Sequence, residues 1–151
     1  MLPSTAARVP KHTYIEANKK IEEQTQRNIA YYSSADHSEI ESRLKELDRE
    51  WDMERLLQTN ASVVALFGLI LATTVKWKFI ILPMAVMGFL LQHAVQGWCP
   101  PVSLFRRMGV RTSSEINSEK YALKALRGDF AAVPQTQGIQ KAREAFRATS
   151  R

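Results

Sequence analysis

This chain has little cysteine and, through its middle third, almost no charge. Cys99 is the sole cysteine among 151 residues, which excludes an intramolecular disulfide framework and leaves no second thiol for a CxxC redox or zinc pair. Also missing are a glycine-rich phosphate loop, a serine nucleophile motif and a paired-histidine zinc motif. The basic residues come without aromatic stacking platforms or a nucleic-acid-binding module. Residues 1–30 are polar and lack the apolar core and small-residue cleavage site of a secretion signal. The expectation is a chain with no catalytic constellation, cofactor, metal or nucleic-acid partner, and so a non-enzyme.

What is present is sharply segregated. Residues 1–55 carry 9 basic and 11 acidic side chains, and residues 106–151 carry 10 basic and 4 acidic. The fifty residues between them hold only Lys76 and Lys78. A stretch so poor in charge is suited to lipid. Two apolar runs stand out, Asn60 to Val75 and Phe79 to Val95. Each is about 26 Å long as a helix, the short end for a hydrocarbon core of about 30 Å. The linker Lys76-Trp77-Lys78 makes the two helices antiparallel neighbours, with Trp77 at headgroup depth and the lysines reaching outward. A soluble core is the alternative for these runs. Lys45, Arg49 and Arg55 flank the entry and Arg106, Arg107 and Arg111 the exit, so the excess of positive charge puts both termini in the cytoplasm.

The fold class expected is therefore an all-α membrane protein: a two-helix transmembrane hairpin with N- and C-terminal amphipathic cytoplasmic helices. Residues 1–57 form the N-terminal arm, 58–99 the hairpin with spans at about 59–75 and 79–97, and 100–151 the C-terminal helix and basic tail. In the arm, Thr13 to Glu16 (TYIE) reads as a capping box opening a helix through about Tyr32. From Asp36 or Ser38, the spacing of Ile40, Leu44, Leu47 and Trp51 gives an apolar stripe that needs the first helix, the C-terminal region or another copy to cover it. With no Pro or Gly between Asp36 and Phe67, this helix is expected to run unbroken into the membrane, and its 36–57 segment is the surface assigned to a protein partner. A second capping box, Thr112 to Glu115 (TSSE), opens a helix ended by Gly128. Ile139, Ala142 and Phe146 share one side of a short basic C-terminal helix that either lies on anionic lipid or is solvated and partly disordered.

Within the spans, residues equally far from Trp77 fall at similar depth. Gly68 then lies opposite Ala85 to Gly88, and Gly68, Ala72, Ala85 and Gly88 are the small residues assigned to helix packing, within one hairpin or between two. The same map gathers Asn60, Ser62, Gln92, His93 and Gln96 into a polar cluster near the cytoplasmic edge. It admits a metal-binding or proton-relay histidine, but interhelical hydrogen bonds among neutral side chains explain it more simply. Lys76, Trp77, Lys78, Trp98, Arg106 and Arg107 serve as interface anchors.

The sequence GWCPP (Gly97 to Pro101) closes the second run. As chemistry, Cys99 is a candidate reactive thiol near Arg106 and Arg107. As structure, it packs as a small apolar group beside an interfacial tryptophan, with Pro100 and Pro101 stopping the helix; the structural reading is adopted.

The order RNIAYY, RLKELDREWDMER, an apolar run, VKWKFIILP, GWCPP, MGVRTSSEI and LRGDF resembles the bacterial family carrying the YgaP-like inner-membrane transmembrane domain, a domain of unknown function. The similarity is most specific over about residues 55–112. It implies a bacterial inner-membrane hairpin that dimerises; the charge distribution adds that this multi-pass protein keeps both termini cytoplasmic. The rhodanese domain of fused members is absent, so none of its catalytic residues carries over. The function expected is a non-enzymatic, oligomeric membrane anchor or scaffold, with lipid, a second copy and a protein partner as its contacts. The alternatives are a membrane thiol or sulfur-transfer accessory using Cys99, and a small channel-like oligomer lined by His93 and Gln96.

Overall fold

The computed structural model describes residues 8–133, 135 and 137–150. Arg151 of the basic tail, and Pro134 and Thr136 of the segment before it, lie outside the described residues. The protein is 80% helical, with no strand among the described residues. The helices are α1 (Arg8–Lys11), α2 (Ile15–Tyr32), α3 (His37–Arg49), α4 (Met53–Thr74), α5 (Ile81–Gln96), α6 (Pro100–Arg107), α7 (Ser113–Arg127) and α8 (Gly138–Ser150). Two of these helical stretches are long and apolar enough to cross a membrane. The chain divides into two compact units, one of residues through Ile21 with Trp51–Ser113, the other of Glu22–Glu50 with Ser114–Arg151.

The first unit holds the hairpin. At 22 residues, α4 is about 33 Å long. It ends where Lys76 turns extended, and a 3₁₀ turn at Trp77–Ile80 leads into α5. The face of α4 that meets α5 is made of small residues: Ala65, Gly68 and Ala72 are buried there. A Cβ on Gly68 would stand 2.7 Å from Pro83 Cδ and 2.9 Å from Leu82 Cβ. Gly68 is thus opposite Leu82 and Pro83, a correction to the expected Ala85 to Gly88, because the turn centres nearer Val75 and Lys76 than Trp77. Ala85 and Gly88 are exposed, and a Cβ on Gly88 would touch nothing. Pro83 is buried in the first turn of α5.

Two further expectations are corrected here. The helix from Asp36 does not run unbroken to Phe67: Glu50 and Asp52 are both extended, and the Asp52 carboxylate accepts a hydrogen bond from the Arg55 amide. Aspartate competes for the backbone as an N-cap, so it starts a new helix without any Pro or Gly. Nor do Pro100 and Pro101 stop α5. Gly97 ends it with φ +76°, and the prolines open α6, where first-turn amides have no intrahelical partner to lose. At the open end of the hairpin Val9, Met53, Leu57, Cys99 and Val102 form the core, with Phe105 and Val110 against it. Arg106 is buried in this unit, donating to Asn18 Oδ1 at 2.6 Å and to the Val110 carbonyl at 3.1 Å.

In the second unit, Ile40, Leu44 and Leu47 of α3 pack with Ile116 and Leu123 of α7. Of the options open to the stripe, the C-terminal region supplies the buried partners, with Tyr32 at the end of α2 and Ala35 packed against the same cluster. Trp51 lies within the break, in the first unit, and stays 45% exposed, with the Arg55 guanidinium 4.4 Å from its ring centre. Between the helices, the fully buried Glu119 accepts from Arg43 Nε at 3.0 Å and from Asn28 Nδ2 at 3.2 Å. Lys124, also buried, donates to the Thr149 carbonyl at 2.8 Å; burial pushes its ammonium below the usual lysine range. The TSSE segment opens α7 at Ser113 and Gly128 (φ +87°) ends it, as the capping signals predict. The TYIE segment behaves differently: Thr13 Oγ1 donates back to the Val9 carbonyl at 2.7 Å, and α2 begins at Ile15. Ile139, Ala142 and Phe146 of α8 are all exposed, while Ala148 is buried.

Candidate functional site

The residues with chemical potential converge at the open end of the hairpin. A residue preceding proline is driven out of helical conformation, and Cys99 accordingly takes φ −154° and ψ 162°. After the left-handed turn at Gly97, this geometry folds the thiol back into the core, where Cys99 is 3% exposed. A Cβ on Gly97 would stand 2.3 Å from Arg8 Cβ, so the glycine is required both by its dihedral and by the chain packed over it. The Arg8 guanidinium donates to the Ala94 carbonyl of the same turn.

His93, in the last turn of α5, is buried at 4% exposure. Its Nε2 lies 3.3 Å from each carboxylate oxygen of Glu54, in the first turn of α4. An ionised carboxylate can only accept, so the contact assigns a proton to Nε2; Nδ1 is an acceptor only when the ring is neutral. Nδ1 is fully buried and makes no hydrogen bond. The Cys99 thiol is close enough to interact with that imidazole, without closing a bond of good geometry to Nδ1. A carboxylate, an imidazole and a thiol therefore stand in sequence, the order in which a nucleophile, a base and a group orienting the base are arranged.

Beside them runs a cleft of about 120 Å³ between α4 and α5, lined by Leu57, Ala61 and Val64 on one helix, Val86 and Leu90 on the other, and Cys99 at its end. From Leu57 to Val64 it extends about 10 Å along the helix axis.

The other residues singled out from sequence lie as follows. Asn60 donates to the Leu56 carbonyl of its own helix at 2.8 Å, and His93 pairs with Glu54. The expected polar cluster thus does not form as one hydrogen-bonded group: Ser62 and Gln96 are exposed and Gln92 is half-buried. Lys76, Trp77 and Lys78 are exposed at the turn, Trp77 at 72%. Trp98 is half-buried, and Arg107 is exposed with its guanidinium 5.1 Å from the Tyr14 ring centre. Arg106 is an internal clamp rather than an exposed anchor. Sequence reasoning missed Glu54, and it missed the approach of His93 to Cys99. The signal available was the glycine between them, since a left-handed residue at a helix end reverses the chain. No group of three or more metal-ligating side chains occurs among the described residues. Neither the family models, nor the curated proteins, nor the solved structures contain a match to this chain.

Proposed function

We propose that this protein is an integral membrane protein of the bacterial inner membrane, a non-enzymatic anchor whose hairpin crosses the bilayer and holds its helical arms in the cytoplasm as a scaffold, working as a dimer. One observation carries this reading: the outward faces of α4 and α5 are apolar and uncovered. Val63, Leu66 and Phe67 are 59–61% exposed, and Ile81, Met84 and Leu91 63–67%. Their apolar windows are only 17% and 11% buried, whereas a core helix of a soluble protein is mostly enclosed. An apolar band of this extent is suited to lipid. With the α3 stripe already covered by α7, a partner would dock on other surfaces of the second unit. Crosslinking in native membranes followed by purification in mild detergent should return a dimer with a co-purifying protein; isolated monomers alone would contradict the scaffold.

A second reading is favoured by the burial of the Cys99 thiol and the His93 imidazole at the same end of the hairpin, with His93 Nδ1 lacking a hydrogen-bond partner. There Cys99 is a membrane thiol that takes up a group from a donor, sulfur from a persulfide carrier or another electrophile. A small alkylating reagent should label Cys99 much faster in the intact protein than in the His93→Gln variant.

A further inference from the structure

Resting on that second reading, the geometry points to the group: we propose that Cys99 is a self-acylating thiol that receives a long acyl chain as a thioester, with the carbons next to the carbonyl seated in the open cleft between α4 and α5 and the remainder of the chain running on along the apolar outer face of the hairpin. Three independent features meet there. The thiol is held at one end of an apolar cleft whose walls run into the hairpin. Behind the cleft wall, the buried His93 imidazole has no hydrogen-bond partner at Nδ1, while Glu54 fixes its other nitrogen. Beyond that end the chain turns polar, with Glu54 48% exposed and Arg8 within electrostatic reach of it. The reacting carbonyl would thus sit at the boundary between an apolar cleft and a charged rim. A cysteine beside a membrane helix is a chemically suitable acyl acceptor, and each buried methylene of a chain favours binding by about 0.8 kcal/mol.

In the reaction, His93 Nδ1 takes the proton of the Cys99 thiol as Sγ attacks the carbonyl carbon of the donor. A new carbon–sulfur bond forms, the bond from that carbon to the donor's sulfur or oxygen breaks, and the leaving thiol or alcohol carries off the proton held on Nδ1. No electrons are gained or lost. Glu54 is a positioning residue: it does not touch the acyl group but sets which ring nitrogen is free. The donor chemistry is an activated acyl carbonyl, available from a soluble acyl thioester or from a phospholipid ester.

The test uses the full chain reconstituted in vesicles of diether phospholipid, which contain no acyl ester, and supplied with palmitoyl or acetyl coenzyme A. A parallel arm uses diester phospholipid vesicles with no added thioester. The readout is a hydroxylamine-sensitive adduct mapped to Cys99 by mass spectrometry. The expected result is a palmitoyl adduct in the first arm, or a lipid-derived one in the second, forming at least about tenfold faster than the acetyl adduct and about a hundredfold slower in His93→Gln. The comparison of chain lengths needs only the wild-type protein, so it stands even if the variant misfolds. Absence of any adduct in both arms, or equal rates for palmitoyl and acetyl donors, overturns the proposal. Rapid, His93-dependent alkylation by iodoacetamide without acylation would leave the thiol reading intact and remove the acyl assignment alone.

Discussion

A Cβ placed on Gly68 would lie 2.7 Å from Pro83 Cδ. The two helices of the hairpin therefore approach at a point where neither can yield: one side is backbone, the other a proline ring. Gly68→Ala should force α4 and α5 apart and destabilise the hairpin by about 1–3 kcal/mol. Gly88→Ala is the control, since nothing lies within 4 Å of the added methyl group, and it should leave stability unchanged or raise it. Unfolding of the two variants in detergent micelles, followed by circular dichroism, checks the contrast. Equal behaviour would mean that the close face is not where the helices meet.

Gly97 makes a second such approach, to Arg8, with a positive φ added. Gly97→Ala should cost at least about 1 kcal/mol from the dihedral alone, and more from the clash with α1. Protection of the α1 and α6 amides from hydrogen exchange should fall while the α7 amides are unaffected.

The ion pair of Arg43 with Glu119 joins α3 to α7 at 3.0 Å, with the carboxylate fully buried. Arg43→Ala leaves that charge in a dry setting and should destabilise the second unit by about 3 kcal/mol. Replacing both residues by apolar ones of similar volume, Arg43→Met with Glu119→Leu, should recover most of the loss, because an apolar pair avoids the desolvation that the charges incur. Denaturant titrations of the single and double variants measure the difference.

These contacts mark how far sequence alone reaches. The hairpin, the α3 stripe and the TSSE start of α7 were legible because each rests on local sequence: absence of charge, a repeat of three and four residues, and a Thr-x-x-Glu signal at a helix start. The break at Glu50 to Asp52 was hidden because aspartate is tolerated within helices as well as at their starts, and only the neighbouring fold decides. Pro100 and Pro101 were read as a stop because proline disrupts a helix from inside, yet the same missing amide makes it a good opener. The candidate site was the least legible part. Its three groups come from α4, the end of α5 and the loop after it, and Gly97 brings His93 and Cys99 together only by reversing the chain.

At the start of α3, the backbone amide of Glu39 and the hydroxyl of Ser38 both donate to the Asp36 carboxylate, at 2.9 and 2.8 Å. The amide bond foremost, then the hydroxyl, holds this carboxyl below its usual range. Because the folded value is the lower one, the cap contributes in full above the pKa of the free carboxyl and is lost as pH falls through the folded value. Protection of the first-turn amides of α3, corrected for intrinsic exchange, should stay level from neutrality to about pH 4 and fall below it. In Asp36→Ala it should be lower throughout and lack that acid step; an unchanged step would assign it to another group.

The central claim is that α4 and α5 cross a bilayer with both ends of the hairpin on one side. In a Cys99→Ser background, single cysteines at Lys45, Trp77 and Arg107 can be challenged with a membrane-impermeant maleimide in intact bacterial spheroplasts and again after lysis. The account predicts that Trp77→Cys is labelled in intact cells, and that Lys45→Cys and Arg107→Cys are labelled only after lysis. Labelling of all three only after lysis, with the chain released from membranes by alkaline carbonate, would contradict it.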